Sequence, residues 1–261
     1  MNGKVGVLEG GKNMKNKGLK LSIIALVLVL ILGGFLGYGY YQKVTYKLQR
    51  PVVSMEIKDY GTIKIELYPD MAPNTVKNFI KLINEGYYNE RTFNRVEDVL
   101  IQGGFPKNEE TEDVKLSING EFSENGYDNT LKFERGTLGM ARADYTQFSS
   151  ANASLVKEGY NSGYDQFFIT TQEVAEFNGY YTAFGKVIEG IEIVDEITKI
   201  ETAVETDEST GETTQTTKPV NPPVISNITV DTFGVEYGEP ETHESFDINS
   251  WFMSQYYGLS Y

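Results

Sequence analysis

None of the 261 residues is cysteine. That excludes disulfide bridges, thiolate zinc sites, a cysteine nucleophile and the acylated cysteine of a bacterial lipoprotein anchor. A single histidine occurs, His243, within an acidic C-terminal stretch, so chemistry built on a histidine base or a His-rich metal site lacks its residues. Basic side chains are also scarce: 23 Lys and Arg against 37 Asp and Glu leave a net charge of -14. Nucleic-acid binding needs clustered Lys and Arg to neutralise phosphates. No such cluster lies beyond the N-terminal tail, and no nucleic-acid partner is expected. Hydrophobic residues make up 40% of the chain and aromatic ones 13%, enough to bury a sizeable core.

One long apolar run is present. Leu19 to Leu36 is interrupted only by Lys20, Ser22 and two glycines, and it continues into Tyr38, Tyr40 and Tyr41. The run reads as an uncleaved transmembrane signal-anchor, with a cleaved signal peptide or a buried helix as the other readings. Lys4, Lys12, Lys15, Lys17 and Lys20 precede it against Glu9 alone, while Lys43, Lys47 and Arg50 follow. The positive-inside rule then places the N-terminus in the cytoplasm and the rest outside the cell membrane, single-pass, or secreted if the signal is cleaved.

Beyond the run, Val53, Met55 and Ile57 alternate with polar neighbours, as do Ile63, Ile65 and Leu67 after Asp59-Tyr60-Gly61; this predicts a half-buried hairpin. Pro73 suits a first helical turn, Val76, Phe79, Ile80 and Ile83 share one helical face, and Gly86 closes the helix. Ile193, Val194, Ile197 and Ile200 mark a second helix over Gly190 to Ile200. Thr202 to Thr217 is Thr/Glu-rich and predicts a solvated loop; strand character returns between Pro219 and Gly234. No internal repeat is present. Strands with one early and one late helix predict an antiparallel barrel capped by helices rather than a βαβ sheet.

A series of short motifs then runs in a fixed order. It begins with Gly61-Thr62-Ile63-Lys64-Ile65-Glu66-Leu67, Ala72-Pro73-Asn74-Thr75-Val76, Gly86-Tyr87-Tyr88, Phe93-Asn94-Arg95-Val96 and Ile101-Gln102-Gly103-Gly104. It continues through Asn119-Gly120-Glu121-Phe122, Arg135-Gly136-Thr137-Leu138-Gly139-Met140-Ala141-Arg142, Gln166-Phe167-Phe168-Ile169 and Phe184-Gly185-Lys186-Val187. In this order the segments resemble the cyclophilin family across about Val52 to Pro240.

The resemblance implies a mainly β fold: a closed eight-stranded antiparallel barrel capped by two helices, here preceded by one transmembrane helix. It implies a peptidyl-prolyl cis/trans isomerase that speeds X–Pro isomerisation during folding of exported proteins, or alternatively a proline-peptide binding module or chaperone with little or no turnover. The expected partners are proline-containing unfolded or exported polypeptides, together with the membrane through the N-terminal helix. Rotation about X–Pro makes and breaks no covalent bond, so no cofactor or metal is expected. What the reaction needs is an apolar slot for the ring and donors for the redistributing charge.

By resemblance, Arg95 and Gln102 are the catalytic pair, and a guanidinium is a permanently charged fork of donors. Val99, Leu100, Met140, Ala141, Phe168, Phe177 and Tyr181 match positions lining the substrate site. The chain also departs from the family pattern. Asn94 stands where a histidine is usual. The Arg95–Gln102 interval is one residue short, which brings Val99 to the place of a pocket phenylalanine. Tyr181 replaces a pocket histidine, and Glu176 stands where some members carry the tryptophan associated with cyclosporin binding. The expected organisation is a basic tail over 1–18, an anchor over 19–41, a linker over 42–50 and an isomerase domain over 51–240. Insertions fall at 143–165 and 202–217, and an acidic and aromatic tail occupies 241–261. The longer insertion is expected to shape the pocket beside the proline site.

Overall fold

The computed structural model describes residues 11–45, 49–106, 115–149, 152–207 and 211–257. Lys4, Glu9, Lys47 and the last four residues of the aromatic tail lie outside them. The chain divides into two compact units, Met1–Gln49 and Arg50–Tyr261.

The described part of the first unit is one helix, α1 (Gly11–Thr45). The expectation of a transmembrane anchor is not supported, because no helix among the described residues is long and apolar enough to cross a membrane. The uninterrupted aliphatic stretch, Ile23 to Leu32, rises only ~15 Å as a helix, about half of a ~30 Å hydrocarbon core. Gly33, Gly34 and Gly37 then dilute the run. The membrane as a partner and the single-pass placement fall with the anchor.

The second unit begins with the expected hairpin, β1 (Val52–Ile57) and β2 (Gly61–Leu67), turned through Asp59 at φ 67°. Helix α2 (Pro73–Asn84) follows, then β3 (Thr92–Glu97), β4 (Leu100–Phe105), the short β5 (Leu116–Ser117) and β6 (Thr137–Met140). Next come α3 (Ala153–Tyr160), β7 (Phe167–Thr170), β8 (Ala183–Glu189) and α4 (Ile191–Ile197). The chain finishes with β9 (Thr202–Thr206), β10 (Thr213–Pro219), β11 (Ile225–Asp231), β12 (His243–Glu244) and α5 (Ile248–Tyr257). Thr202 to Thr217, expected as a loop, is therefore mostly an exposed β9–β10 hairpin. Its threonines are β-branched and favour extended backbone without requiring burial.

Eight strands form one antiparallel sheet in the order β11-β1-β2-β8-β6-β7-β4-β3. The sheet curls but is not the closed barrel that was expected. Its edge strands β3 and β11 meet only through the isolated Thr92–Val224 bridge and flanking backbone bonds such as Phe93 N–H to Pro223 O, 2.9 Å. Pro222 and Pro223 explain the break, because proline has no N–H to donate and a ladder cannot run through two in succession.

The inward sides of β1 and β2 (Val53, Met55, Ile57, Ile63, Ile65, Leu67) meet the buried face of α2 in the main core. At its centre the Phe79 ring lies 5.0 to 5.5 Å from Tyr88, Phe167 and Phe184.

Helix α2 has no cap from its own N-terminal residue Ala72; the buried Glu121 carboxylate accepts from Asn74 N at 2.9 Å and Thr75 N at 2.8 Å. A carboxylate there satisfies two orphan amides and faces the positive end of the helix. Burial nevertheless holds the Glu121 carboxyl above its ordinary value, against the pull of these donors. Glu121→Ala is expected to cost about 1–3 kcal/mol in denaturant unfolding, because two amides lose their acceptor. A raised folded-state pKa means that the folded chain binds more protons than the unfolded chain within that window. Stability should therefore fall as pH rises from about 4.5, where an ordinary glutamate titrates, through the folded value. Glu121→Gln, measured by denaturant titration at each pH, should lack this slope; an identical slope in both proteins would overturn it.

Candidate active site

Arg95, Leu100, Gln102 and Phe168 come from three adjacent strands, β3, β4 and β7, on the face turned away from the main core, while Val99, Ala141, Phe177 and Tyr181 lie on connecting segments. Side chains alternate along a strand. On β7, Phe167 and Ile169 enter the main core while Phe168 faces the site. On β4, Ile101 is in the core while Leu100 and Gln102 face outward. Strand β3 needs a correction to reach this arrangement. Phe93 and Val96 both pack in the main core although they are three residues apart, an odd spacing that regular alternation forbids. The pairing shifts at Asn94: Phe93 faces Gly103 and Arg95 faces Gln102, which makes Asn94 the extra residue of a β-bulge. The bulge is what lets Phe93 point inward and Arg95 point out.

Arg95 Nη1 donates to Gln102 Oε1 at 3.1 Å, and Gln102 Nε2 donates to Gln166 Oε1 at 2.9 Å. Gln102 is buried, whereas Arg95 keeps 44% of its side chain exposed. Glu97 holds the other side of the guanidinium: Nε donates to its Oε1 at 2.7 Å, and Nη2 lies 2.6 Å from the same oxygen. Three of the five guanidinium N–H groups are thereby engaged, which leaves one each on Nη1 and Nη2.

Beside this polar line lies a second apolar cluster, separate from the main core. Its buried members are Leu100, Phe133, Phe168, Val174 and Ala183, with Val99, Leu131, Ala141, Phe177 and Tyr181 half-buried against them. Six of the seven expected substrate-contact residues thus fall together: Val99, Leu100, Ala141, Phe168, Phe177 and Tyr181. Met140, the seventh, packs in the main core and borders a small void with Tyr160 and Thr182. Phe168 is the hub of the cluster. It stacks on Phe133 with centroids 5.5 Å apart and takes Phe177 and Tyr181 edge-on at 5.5 and 5.7 Å. The sequence reading passed over Phe133, although Leu131 and Phe133 alternate with Lys132 and Glu134, a period-two signal just ahead of a motif.

An open groove of about 290 Å³ adjoins Gln102 and is bordered by Ala141, Arg142, Ala143, Ser162 and Tyr164. The guanidinium of Arg142 sits over the rings of Tyr181 (4.4 Å) and Tyr160 (4.9 Å), and its Nε donates to Tyr180 O at 2.9 Å. Arg142 therefore joins the apolar cluster to the 143–165 insertion. No group of acidic or histidine side chains suited to a metal occurs among the described residues.

The family profile for cyclophilin type peptidyl-prolyl cis-trans isomerase/CLD matches residues 52–230. The chain is 36% identical over 143 residues to peptidyl-prolyl cis-trans isomerase B of Bacillus subtilis, covering 54% of this chain and 87% of that protein. It is also 36% identical over 156 residues to human peptidyl-prolyl cis-trans isomerase-like 1, covering 59% and 83%. The crystal structure of a cyclophilin type isomerase from Cryptosporidium parvum superposes with a TM-score of 0.52 at 26% identity, covering 70% of this chain and 98% of that one. The same protein in the presence of the dipeptide Ala-Pro gives 0.51 at 27% identity, covering 69% and 98%. With the profile spanning most of the chain and the relatives matched over most of their length, this protein belongs to the cyclophilin-type peptidyl-prolyl cis-trans isomerase family and is an enzyme of that class.

Proposed function

We propose that proline-containing polypeptides bind with the pyrrolidine ring against the Phe168 cluster and the preceding backbone along Gln102, and that Arg95 drives rotation of the X–Pro bond. The observation that carries this reading is the 3.1 Å bond from Arg95 Nη1 to Gln102 Oε1 at the rim of an apolar cluster separate from the main core. Amide resonance sets a barrier of ~18–20 kcal/mol. As the bond twists, the lone pair returns to the imide nitrogen, and a cationic donor placed there lowers the barrier without forming a bond. The two unengaged N–H groups of Arg95 supply that donor. Val99, Leu100, Ala141, Phe177 and Tyr181 are assigned to the wall around the ring, and Met140, packed in the main core, is left out of it. Gln102 holds the arginine and offers hydrogen bonds to the substrate backbone.

A second reading, proline-peptide capture with little turnover, draws on Glu97. Its carboxylate lies 2.6 to 2.7 Å from two guanidinium nitrogens and competes with substrate for them. Kinship supports the proline-peptide site more directly than it supports the rate at which that site works. The test is a proline-isomerisation assay on the full chain, parent against Arg95→Ala. Because no titrating base takes part, kcat/KM should vary little between about pH 6 and 8, and a bell-shaped profile centred there would contradict the reading.

A further inference from the structure

The described part of the acidic and aromatic tail folds back along the second unit and reaches the insertion that borders the groove. Glu239 takes a 2.7 Å ion pair from Lys81. Glu241 exchanges two hydrogen bonds with the Asn74 side chain, 2.9 Å from Nδ2 to its carbonyl and 2.7 Å from its N–H to Oδ1. β12 pairs with β5, and Ser245 continues the contact through its N–H to Lys115 O at 2.9 Å. The next residue, Phe246, meets the Tyr145 ring edge-on at 6.1 Å, and Phe252 on α5 meets Phe148 at 5.3 Å. Asp247 starts α5 by accepting from Asn249 N at 2.9 Å and Ser250 Oγ at 2.6 Å, which fixes the helix carrying Phe252.

Tyr145 and Phe148 belong to the insertion, two and five residues after Ala143 on the groove. Ala143 N donates to Ser162 Oγ at 2.7 Å, which ties the two ends of the insertion together beside the groove. Gly159 of α3 approaches Ala143 at backbone distance, since a Cβ there would lie 2.8 Å from Ala143 O and 3.3 Å from the Tyr145 ring. A displacement of Tyr145 is therefore passed to Ala143 through tightly packed backbone, and close-packed contacts of this kind transmit shifts rather than absorb them.

We infer that Phe246 and Phe252 are positioning residues: the tail is a strap that holds the 143–165 insertion against the groove, and so sets which side chains two residues before proline the groove admits. This rests on the proposed substrate site, and it adds a specificity element at the far end of the chain. Neither phenylalanine is placed against the Arg95–Gln102 pair, so the strap acts on substrate ranking and not on bond rotation.

The test uses the full chain with Phe246→Ala and Phe252→Ala combined, assayed on X–Pro tetrapeptides that vary at the residue two before proline. Loss of two aromatic contacts should reduce the spread of kcat/KM between best and worst peptides by about 5-fold. The change should appear in KM, with kcat on the Ala-Pro reference peptide at the parent value. Amide hydrogen exchange over 143–165 should accelerate. Unchanged ranking alongside faster exchange, or unchanged exchange, overturns the strap. Tyr145→Ala with Phe148→Ala removes the same two contacts from the other side with the tail intact, and must reproduce the effect if the first double variant folds poorly. Arg95→Ala assayed in parallel separates the two ideas: parent-like turnover there defeats the site assignment, while the ranking still decides the strap.

Discussion

Replacing Arg95 by alanine is expected to lower kcat/KM for proline isomerisation by about 10²–10³-fold, the usual effect of deleting one transition-state donor. The reason is geometric. Gln102 and Glu97 hold the guanidinium at 2.6 to 3.1 Å on opposite sides, so its remaining N–H groups are oriented before substrate arrives. A preorganised donor costs no reorientation as charge develops, whereas water entering the space left by alanine must reorient. Arg95→Lys should recover only part of the activity, because an ammonium cannot fork to both partners. Glu97→Gln is informative in the other direction. It removes the competing charge and should raise kcat if the carboxylate restrains the arginine, as the capture reading requires. Equal rates for parent and Arg95→Ala, or a parent rate no faster than the spontaneous reaction, would defeat the assignment.

The second large effect is expected from one added methyl group. Gly139 lies opposite Phe168 in the β6–β7 ladder, and a Cβ on it would fall 2.3 Å from Phe168 Cζ and 2.7 Å from Phe133 Cε1. Those rings are stacked on one another, and Phe177 and Tyr181 meet Phe168 edge-on, so a shift of Phe168 disturbs three aromatic contacts at once. Gly139→Ala should cost about 1–3 kcal/mol of stability by overpacking. In a domain of this size that corresponds to a fall in Tm of roughly 2–4 °C per kcal/mol. The main core lies on the other face of the sheet, so the variant should fold. Its KM for X–Pro peptides should rise clearly, because Phe168 can no longer present the same surface to the ring. Parent-like Tm together with parent-like KM would show that the cluster yields freely and is not the substrate wall.

Much of this site was legible in the sequence, for identifiable reasons. Ordered motifs brought Arg95, Gln102, Phe168 and their neighbours forward, and the alternation of Val53, Met55 and Ile57 or the helical spacing of Val76, Phe79 and Ile83 placed β1 and α2. Periodicity succeeds where one face of one element is buried against one core. It failed for Thr202 to Thr217, where an exposed hairpin has no apolar face to announce it. It also overread Leu19 to Leu36, because apolar content over a window says nothing of where an uninterrupted run ends. Glu97 was invisible for another reason: a carboxylate two residues along a strand becomes a partner only once the side chains take their directions.

The sequence by itself determined the family and brought forward Arg95, Gln102 and most members of the Phe168 cluster as candidates, since these depend on residue type in order along the chain. The tertiary structure decided the rest. Pairing register made Asn94 a bulge, and so turned Arg95 toward Gln102 while Phe93 stayed in the core. The two prolines ahead of β11 left the sheet open at β3, because a ladder needs donors that they lack. The tail reached Tyr145 and Phe148 across about a hundred residues of chain, a proximity that local spacing cannot encode, because it exists only after the intervening strands have paired.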